Sequence, residues 1–253
     1  MSEIRDLLVS FMLAVLGGER SRYENRHRIL DRTARRLGFR LYNKNLAWPS
    51  DAEYRAAWRG FPEGSGYIHE RKFNLFNIAC ALRDVPGDIA ECGVYRAGSS
   101  HLMLTATQGT GKHLYGFDSF AGLSEPVEQD SVERRRTFSW KKHDMSVSEE
   151  VARDNLERHA GRFTLLKGWI PERFAEVADR RFSLVHLDVD LYEPTLASVS
   201  FFYPRLNQCG VIVCDDYGFE SCPGARRAMD EFSASVDKRV IHLTTGQGLI
   251  LRS

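Results

Sequence analysis

The stretch that decides the fold is Ser183-Leu-Val-His-Leu-Asp-Val-Asp-Leu-Tyr192, read together with Val211-Ile-Val-Cys-Asp-Asp-Tyr217. Each is a short apolar run that ends in two closely spaced acids. An apolar run bounded by polar residues is typical of a buried strand in a parallel sheet. In an open α/β sheet, binding and catalytic residues gather beyond the carboxyl ends of the strands. If these two strands are neighbours, their four acids therefore lie together at one edge.

The four acids form a candidate metal site. Carboxylates in a small volume repel one another, so either they point into water or a hard divalent cation gathers them. Oxygen ligands suit magnesium, calcium or manganese better than zinc. We therefore predict Asp188, Asp215 and Asp216 as metal ligands; the alternative is that they cap strand ends and turns. Asp190 lies two residues beyond Asp188, so on an extended chain both carboxylates face one side.

A second signal is the segment Gly87-Asp-Ile-Ala-Glu-Cys-Gly-Val-Tyr-Arg-Ala-Gly-Ser-Ser100, which predicts a strand, a turn and the start of a helix. Gly93 lets the backbone approach a ligand, and Ser99 can cap the helix. Tyr95 stands where the dinucleotide fingerprint Gly-x-Gly-x-x-Gly has its second glycine, which argues against a pyrophosphate cradle. Glu91 instead suits a cationic amino-acid group, as in S-adenosylmethionine. Its alternative role is an ion pair with a basic neighbour.

A third signal is His113-Leu-Tyr-Gly-Phe-Asp-Ser-Phe120, another strand that ends in an acid. Asp118 follows the glycine turn by about 20 residues, where a doubly wound nucleotide fold places the carboxylate that binds the ribose hydroxyls. Enzymes that use NAD and enzymes that use S-adenosylmethionine share this device. Asp118 alone therefore does not separate the two cofactors.

The rest of the chain predicts alternating strands and helices. Strands are predicted over 88–94, 112–117, 162–166, 183–188 and 210–214, helices over 71–83, 147–159, from about 194 and over 224–235, and a terminal hairpin over 239–243 and 247–251. Strand–helix repetition of this kind predicts an α/β fold with a doubly wound, mainly parallel sheet. Residues 119–145 form a charged segment that is longer than an ordinary connection between a strand and a helix. We therefore expect part of this loop to close over bound ligands. Arg134–Arg136 lie at its centre.

The N-terminus predicts an amphipathic helix that ends at Gly17-Gly18. Its helically spaced apolar residues are Ile4, Leu7, Leu8, Phe11, Met12, Val15 and Leu16. A signal peptide is the alternative, but acids flank this run and no small-residue cleavage site follows it. The run is too short to span a bilayer, so we expect it to dock on the body or on a second subunit.

The arginine-rich segment 20–40 reads as a solvated helical face, with contact to an acidic partner or a membrane surface as the alternative. We predict a helical N-terminal extension or lid over residues 1–68 and a catalytic domain over residues 69–253. The length of 253 residues fits one α/β core with such an extension.

Composition excludes some partners. The net charge of +1 shows no nucleic-acid footprint, and no membrane partner is expected. The five cysteines are odd in number, and four lie in or beside apolar runs, which is typical of buried thiols in a reducing cytoplasm. We therefore expect a cytoplasmic protein, with a homodimer as the candidate assembly.

Taken in order, several motifs resemble those of the macrocin O-methyltransferase (TylF-like) family, which modifies sugar hydroxyls on macrolide and aminocoumarin natural products. The matching stretches are Glu-Cys-Gly-Val-Tyr-Arg96, Gly-Phe-Asp-Ser-Phe-x-Gly-Leu123, Lys-Gly-Trp-Ile-Pro171, Leu-Asp-Val-Asp-Leu-Tyr-Glu-Pro-Thr195 and Asp-Asp-Tyr-Gly218. They cover roughly residues 70 to 250. Ala97 departs from the family, which usually has a second glycine there. An alanine is tolerated at that position unless its φ is positive.

The resemblance implies a class I, Rossmann-like methyltransferase that uses S-adenosylmethionine and Mg²⁺ to methylate a sugar hydroxyl of a glycosylated small molecule. It implies that Asp190 is the catalytic base, with a neighbouring, non-reacting acid as its alternative role. The fallback bases are His143 and His69, whereas His186 lies in an apolar strand and reads as a core histidine. The expected cofactor-binding residues are Glu91, Gly93, Tyr95, Ser99, Asp118, Ser146, Trp169 and Asp188.

Two other functions stay open at this point. The first is an NAD-dependent oxidoreductase on a similar sheet, against which the missing Gly-x-Gly-x-x-Gly argues. The second is a non-catalytic protein that keeps the cofactor fold for regulation or assembly. A binding module has little need for a metal cluster, so the retained acids argue against it. Trp169 could likewise serve plain packing rather than the cofactor pocket.

Overall fold

The computed structural model of the chain describes residues 2–38, 48, 51–62, 68–131 and 140–253. The chain divides into two compact units, residues 1–56 and 57–253. The domain boundary that the sequence predicts between residues 68 and 69 stays a prediction. Arg134–Arg136, at the centre of the predicted mobile loop, lie outside the described residues.

The first unit is helical. Helices α1 (Ser2–Leu16) and α2 (Glu19–Arg36) are separated by the predicted glycine pair. Two arginine side chains of α2 pair with acids one turn away: Arg20 Nε lies 2.9 Å from Glu24 Oε1, and Arg35 Nε lies 2.8 Å from Asp31 Oδ2. Exposed pairs at this spacing stabilise a helix by only about 0.3–0.5 kcal/mol. Within the described residues, no helix combines the length and apolar character needed to cross a membrane.

The second unit is built on a seven-stranded sheet in the order β3-β2-β1-β4-β5-β7-β6. The strands are β1 (Asp88–Cys92), β2 (Leu114–Asp118), β3 (Phe163–Lys167), β4 (Phe182–Leu187), β5 (Leu206–Cys214), β6 (Ile241–His242) and β7 (Gly248–Leu251). Strands β1 to β5 pair in parallel, whereas β7 runs antiparallel to both β5 and β6. The predicted α/β fold with a doubly wound, mainly parallel sheet is therefore confirmed, and so is the terminal hairpin.

Three helices lie between parallel strands, namely α5 (Gly98–Ala106), α6 (Glu149–Asn155) and α7 (Tyr192–Phe202). Helices α3 (Ala52–Arg59) and α4 (His69–Ala81) precede β1, and α8 (Pro223–Ser235) follows β5. The predicted helix over 147–159 is shorter than expected, because a separate 3₁₀ turn over Glu157–His159 follows α6. Strand β5 begins earlier than predicted. Its first four residues include the polar Asn207 and Gln208, so the apolar pattern predicted only the buried second half of the strand.

The register of the sheet sets the site. Cys92 at the end of β1 lies opposite Leu187 of β4, which in turn lies opposite Cys214 of β5. The residues that follow β4 and β5 therefore emerge side by side. Strand order reverses between β1 and β4, and ligands of doubly wound sheets bind at such a switch point.

Aromatic side chains fill the core beneath this edge. Phe202 of α7 packs edge-on against Phe117 of β2 and Phe182 of β4, with ring centroids 5.7 and 5.2 Å apart. All three side chains are buried. Replacing Phe202 by alanine would leave a cavity and cost about 3–5 kcal/mol of folding free energy.

Candidate functional site

A cavity of about 810 Å³ opens at the carboxyl edge of the parallel strands. Its volume lies toward the upper end of the range of roughly 300–1,000 Å³ that is typical of small-molecule sites. The predicted site residues that line it are Gly93, Tyr95, Ser99, Asp118, Trp169, Asp188, Asp190, Asp215 and Asp216. Neither Glu91 nor Ser146 is among the described residues of the lining. The structure thus brings together nine of the eleven predicted positions.

The backbone conformation of the turn after β1 depends on Gly93 and on Asp118. Gly93 has φ +84°, and a Cβ there would collide with the carbonyl oxygen of Asp188. Asp118 Oδ2 accepts hydrogen bonds from the backbone N–H groups of Val94 and Tyr95, both at 2.8 Å. This carboxylate at the end of β2 therefore fixes the backbone of the cavity wall.

Ala97 occupies the left-handed region at φ +66° and precedes α5. The φ of Ala97 is therefore positive, which is the condition under which alanine is less favourable than the glycine usual in the family. A non-glycine residue with this φ carries strain on the order of 1 kcal/mol. The surrounding structure compensates for this strain, because Ala97 is fully buried and its carbonyl accepts the backbone N–H of His101 at 2.9 Å.

Two cations from α4 occupy the cluster of acids. Arg71 Nη2 lies 2.7 Å from Asp215 Oδ2 and 3.2 Å from Asp216 Oδ1. Lys72 Nζ lies 3.5 Å from Asp188 Oδ2 and 3.5 Å from Asp215 Oδ2. Both cationic side chains are only 9% exposed. The predicted metal ligands therefore have buried cationic partners.

The charges of this cluster shift one another's protonation. Burial opposes the charge of Lys72, but the carboxylates of Asp215 and Asp188 outweigh it and raise its pKa to about 12. Burial would likewise raise the pKa of Asp215, but Lys72, His186 and Arg71 hold it well below the ordinary value. Asp216 differs from Asp215, because burial and the nearby charges of Asp190 and Asp188 raise its pKa well above the ordinary value.

Asp190, the predicted base, lies in a constrained backbone position. Its φ is +58°, and its backbone N–H donates to Asp216 Oδ2 at 3.1 Å. The thiol of Cys222 donates to Asp190 Oδ1 with a sulfur–oxygen distance of 3.3 Å. Burial and the charge of Asp188 raise the pKa of Asp190 to about 7. A carboxylate with this pKa takes up and releases protons near neutral pH.

Behind the cavity, Asp215 is held by buried polar side chains. His186 Nε2 lies 3.4 Å from Asp215 Oδ1, and His186 Nδ1 lies 3.0 Å from Glu91 Oε1. Ser100 donates its hydroxyl to Glu91 as well. Burial opposes protonation of His186, but Asp215 and Glu91 raise its pKa to about 9. Glu91 is fully buried and pairs with His186, which is the alternative role that the sequence left open for it.

The terminal hairpin supplies another partner of Asp215. Gln247 Nε2, which is fully buried, donates to Asp215 Oδ1 at 2.7 Å. Its Oε1 accepts hydrogen bonds from Asn74 and Thr245, both at 3.0 Å. The side chain of Asp215 is therefore oriented from α4, from β4 and from the residue that precedes β7.

The acids fall into two groups that can each hold a cation. Ligand atoms of His186, Asp188 and Asp215 lie within 4.8 Å of one another, and so do those of Asp190, Asp216 and Cys222. The three predicted metal ligands are thus divided between neighbouring groups. With all carboxylates and His186 charged, five acids face three cations, which leaves two negative charges. The members of this count are Glu91, Asp188, Asp190, Asp215, Asp216, Arg71, Lys72 and His186.

The remaining predicted residues lie elsewhere. His143 Nδ1 contacts the carbonyl of Ala121 at 2.9 Å, and His69 packs against Trp58 with ring centroids 5.1 Å apart. Neither histidine is among the described residues that line the cavity. Ser146 is exposed.

The first part of the 119–145 loop is anchored beside the site. Asp130 Oδ1 accepts the backbone N–H of Tyr192 at the start of α7 at 2.8 Å, and Asp130 Oδ2 accepts that of Val127 at 2.9 Å. A Cβ at Gly224 would collide with the Asp130 carboxylate. Asp130 therefore stabilises the N-terminus of α7 as an acidic cap.

Sequence reasoning missed Arg71, Lys72, Cys222 and Gln247. A signal for the first two was present, because two adjacent cations in the first turn of a helix oppose the helix dipole. Such a pair inside an otherwise apolar helix indicates an acidic partner elsewhere in the fold. For Cys222 and Gln247, the sequence carries no comparable signal.

Known proteins resemble this chain over most of its length. The family profile described as Macrocin-O-methyltransferase (TylF) matches residues 5–243. The chain is 34% identical over 187 residues to the 8-demethyl-8-(2,3-dimethoxy-alpha-L-rhamnosyl)-tetracenomycin-C 4'-O-methyltransferase of Streptomyces olivaceus, a match that covers 69% of this chain and 71% of that protein.

Solved structures share the fold. The O-methyltransferase NovP matches with a TM-score of 0.63 at 25% identity, covering 75% of this chain and 84% of that chain. The SAH-bound methyltransferase PaMTH1 of Podospora anserina matches with a TM-score of 0.53, covering 80% of this chain and 88% of that chain. At 15% identity, the second likeness shows the fold alone.

Proposed function

The chain belongs to the macrocin-O-methyltransferase (TylF) family. We propose that it methylates a sugar hydroxyl of a glycosylated small molecule, with S-adenosylmethionine as the methyl donor and Mg²⁺ as a metal cofactor. The observation that carries the proposal is one cavity lined both by the Asp118 turn and by the acids around Asp190. A cofactor wall and a candidate base therefore share one space. Methyl transfer needs this proximity, because the reacting atoms must be held nearly in line.

On the cofactor side, Asp118 would accept the ribose hydroxyls, and Gly93, Tyr95 and Ser99 would follow the rest of the molecule. Asp118 already accepts two backbone N–H groups through one oxygen, so it is fixed before a ligand arrives. S-adenosylmethionine would supply an electrophilic methyl group on a sulfonium. Trp169 lines the same cavity and is assigned to the wall of this site.

The residues present fit a magnesium ion. Their donors are carboxylate oxygens, and with every member of the cluster ionised the acids outnumber the cations by two. The raised pKa of Asp216 has the same origin, because burial and unbalanced neighbouring carboxylates favour its protonated form. Asp188, Asp215 and Asp216 would hold the ion, and Arg71 and Lys72 would yield part of their contacts to it. Magnesium would lower the pKa of a hydroxyl on the acceptor.

Asp190 would take the proton of the acceptor hydroxyl. Its backbone bond to Asp216 and its contact with Cys222 hold the carboxylate in the cavity. Without a metal its pKa of about 7 leaves it partly protonated at neutral pH. A nearby cation lowers that pKa and keeps Asp190 ionised, so it can act on a hydroxyl that is itself made more acidic. No side chain of the protein needs to bond covalently to the methyl group.

For the acceptor, a sugar on an apolar aglycone fits the cavity best. The relative from Streptomyces olivaceus is named for methylation at the 4' position of a rhamnosyl tetracenomycin. Exposed apolar side chains also line this cavity, namely Ile68, Met145 and Phe219. They suit an aglycone at the mouth, with the sugar placed toward Asp190.

The cell compartment and the assembly belong to the same proposal. The described cysteines are free thiols, and those at 92, 214 and 222 are buried, which supports a reducing cytoplasm. A homodimer is the proposed assembly. Size-exclusion chromatography with light scattering tests it, and a monomer at working concentration would contradict it.

Calorimetric titration tests the function as a whole. We expect S-adenosylmethionine to bind and NAD not to bind, with magnesium present or absent. Incubation with rhamnosylated aromatic acceptors should then add one methyl group by mass, and EDTA should stop the reaction. Binding of NAD alone would favour an oxidoreductase, and cofactor binding without transfer to any glycoside would favour a non-catalytic protein.

A further inference from the structure

We propose that Lys72 and Ser99 bind the carboxylate of the amino-acid part of the cofactor. This inference rests on the proposed function and extends it to a residue that the motifs did not indicate. Lys72 belongs to α4 and Ser99 to the first turn of α5, and both line the cavity. The two residues come from different elements and meet at the cavity wall.

Among the described residues, Lys72 has no anionic partner within close hydrogen-bond distance. Its Nζ lies 2.6 Å from the hydroxyl oxygen of Ser99, which is a neutral partner. The charged partners, Asp188 and Asp215, are both at 3.5 Å, the outer limit of a hydrogen bond. An ammonium group has three donors, and a buried one is costly unless it is well paired. A carboxylate beside Ser99 would give Lys72 the close anionic partner that these distances deny it.

The other described cations of the cavity wall are less suited to this task. Arg71 already contacts Asp215 and Asp216 at 2.7 and 3.2 Å. Arg96 lies with its guanidinium 5.5 Å from the ring centre of Tyr95. Lys72, by contrast, contacts Ser99 in the first turn of α5, the helix that follows the Gly93 turn.

The chemistry of the cofactor matches this position. S-adenosylmethionine carries one anionic group, its carboxylate. With the ribose on Asp118, we place the amino-acid part along the wall formed by residues 93–99, which lies beside Asp118 through the bonds from Val94 and Tyr95. Ser99 ends that stretch. A hydroxyl and an ammonium together provide the donors that a carboxylate accepts.

The same lysine links the cofactor to the metal ligands. An ammonium 3.5 Å from both Asp188 and Asp215 opposes a cation between them. A bound carboxylate would neutralise part of that charge, so cofactor and magnesium should each strengthen the binding of the other. Coupling of binding free energies is reciprocal by linkage.

The experiment removes the carboxylate from the ligand and the ammonium from the protein. Dissociation constants for S-adenosylmethionine and for decarboxylated S-adenosylmethionine are measured by calorimetry with the full chain. The variants are Lys72→Met, Ser99→Ala and the matched control Lys238→Met, whose exposed ammonium contacts Ser253. Thermal melting of each variant checks that it folds.

We expect the wild-type protein to prefer the intact cofactor at least tenfold. Lys72→Met should weaken S-adenosylmethionine about tenfold or more and leave the decarboxylated ligand unchanged or tighter. Ser99→Ala should show the same pattern with a smaller loss of about threefold, and Lys238→Met should match the wild type. Without cofactor, Lys72→Met should also bind Mg²⁺ several-fold more tightly than the wild type, since a competing cation is gone.

Equal loss of both ligands in Lys72→Met, or no loss of either, would overturn the role of Lys72. The proposed function would still stand, because the wild-type protein would still bind the cofactor. A wild-type protein that binds neither ligand would overturn the proposed function together with this inference. The decarboxylated ligand therefore separates the two failures.

Discussion

The sulfur of Cys222 lies 3.3 Å from the Oδ1 oxygen of Asp190, and the thiol donates to the carboxylate. Trp140 Nε1 in turn donates to the same sulfur at 3.4 Å. Burial and the charge of Asp216 raise the pKa of the Cys222 thiol well above its ordinary value, so it stays a donor at every working pH. Asp190 is therefore held by a partner that does not titrate with it.

Loss of this donor should slow the enzyme moderately. We expect Cys222→Ala to reduce kcat by about threefold to tenfold, the range of one ordinary hydrogen bond. A hydrogen bond to the charged carboxylate lowers its pKa, so the acid limb of the pH–rate profile should move to higher pH in the variant. Cys222→Ser keeps a hydroxyl donor and should recover most of the activity. An alanine variant with an unmoved acid limb would contradict this role.

Asp190→Asn should remove the base while keeping the shape of the site. We expect turnover to fall by about 10²–10⁴-fold, with cofactor and metal affinity nearly unchanged. Raising the pH should partly rescue the variant, because hydroxide can then take the proton. The measurement is single-turnover methyl transfer across pH 6–9, within the roughly neutral range where carboxylate bases are tuned. If metal affinity collapses along with rate, Asp190 is a ligand instead.

Asp215→Asn should abolish magnesium-dependent transfer, whereas S-adenosylmethionine binding measured without magnesium should stay close to wild type. Asparagine is preferable to alanine here, because its amide oxygen still offers a hydrogen-bond acceptor to Arg71, which lies 2.7 Å from this side chain. Both substitutions remove the charge that pairs with Arg71, so thermal melting must show that the variant folds. Removing one partner of a buried ion pair costs about 3–5 kcal/mol. Turnover is measured as a function of magnesium concentration, and excess EDTA provides the metal-free control. Full activity in excess EDTA would refute the metal assignment.

Asp118→Asn should weaken cofactor binding at least tenfold. The wild-type carboxylate offers charge-assisted bonds to a ribose diol, each worth roughly 1.5–3 kcal/mol. The same side chain holds the backbone of Val94 and Tyr95, so the variant must be checked by thermal melting. Calorimetry gives the dissociation constant. An unchanged constant in a folded variant would show that the ribose lies elsewhere.

The buried pair His159 and His101 should make the protein sensitive to acid. Burial, the His101 ring and nearby arginines lower the pKa of His159 to about 3. The unfolded chain therefore binds this proton before the folded one does, and stability falls as the pH drops below about 6.5. His159 alone should cost about 2 kcal/mol of unfolding free energy between pH 7 and pH 5.

His159→Gln should lose less stability over that interval. The measurement is urea unfolding at both pH values, with the difference compared between variant and wild type. The sign follows from the lowered pKa, because stability is present above the unfolded-state pKa and is lost toward the folded-state value. An identical pH dependence in both proteins would show that other groups cause the acid sensitivity.

Much of the site could be predicted because strand ends are visible in sequence. Apolar runs that end in acids located Asp118, Asp188 and Asp215 at one edge, and parallel pairing brought them to one cavity. Glu91 was assigned to the cofactor, since a strand position alone does not tell which partner a side chain meets. The register decides it, because Glu91 lies opposite His186 on the next strand.

The cations of the site were harder to predict for a different reason. Arg71 reaches Asp216 across 145 positions of the chain, and no local pattern encodes such a pairing. Asp190 was expected on an extended chain, yet its φ of +58° turns the backbone at that point. Its place in the cavity depends on the bond to Asp216, which only the folded sheet supplies.

The hairpin that brings Gln247 to Asp215 sets a limit on how relatives can be recombined. Only six residues of the 253-residue chain follow Gln247, yet its amide contacts both the acid after β5 and the backbone of Arg71 on α4. A chimaera that joins the first strands of one protein to the last strands of another would split this three-way contact. A functional exchange between family members should therefore keep α4 and the final hairpin from a single parent.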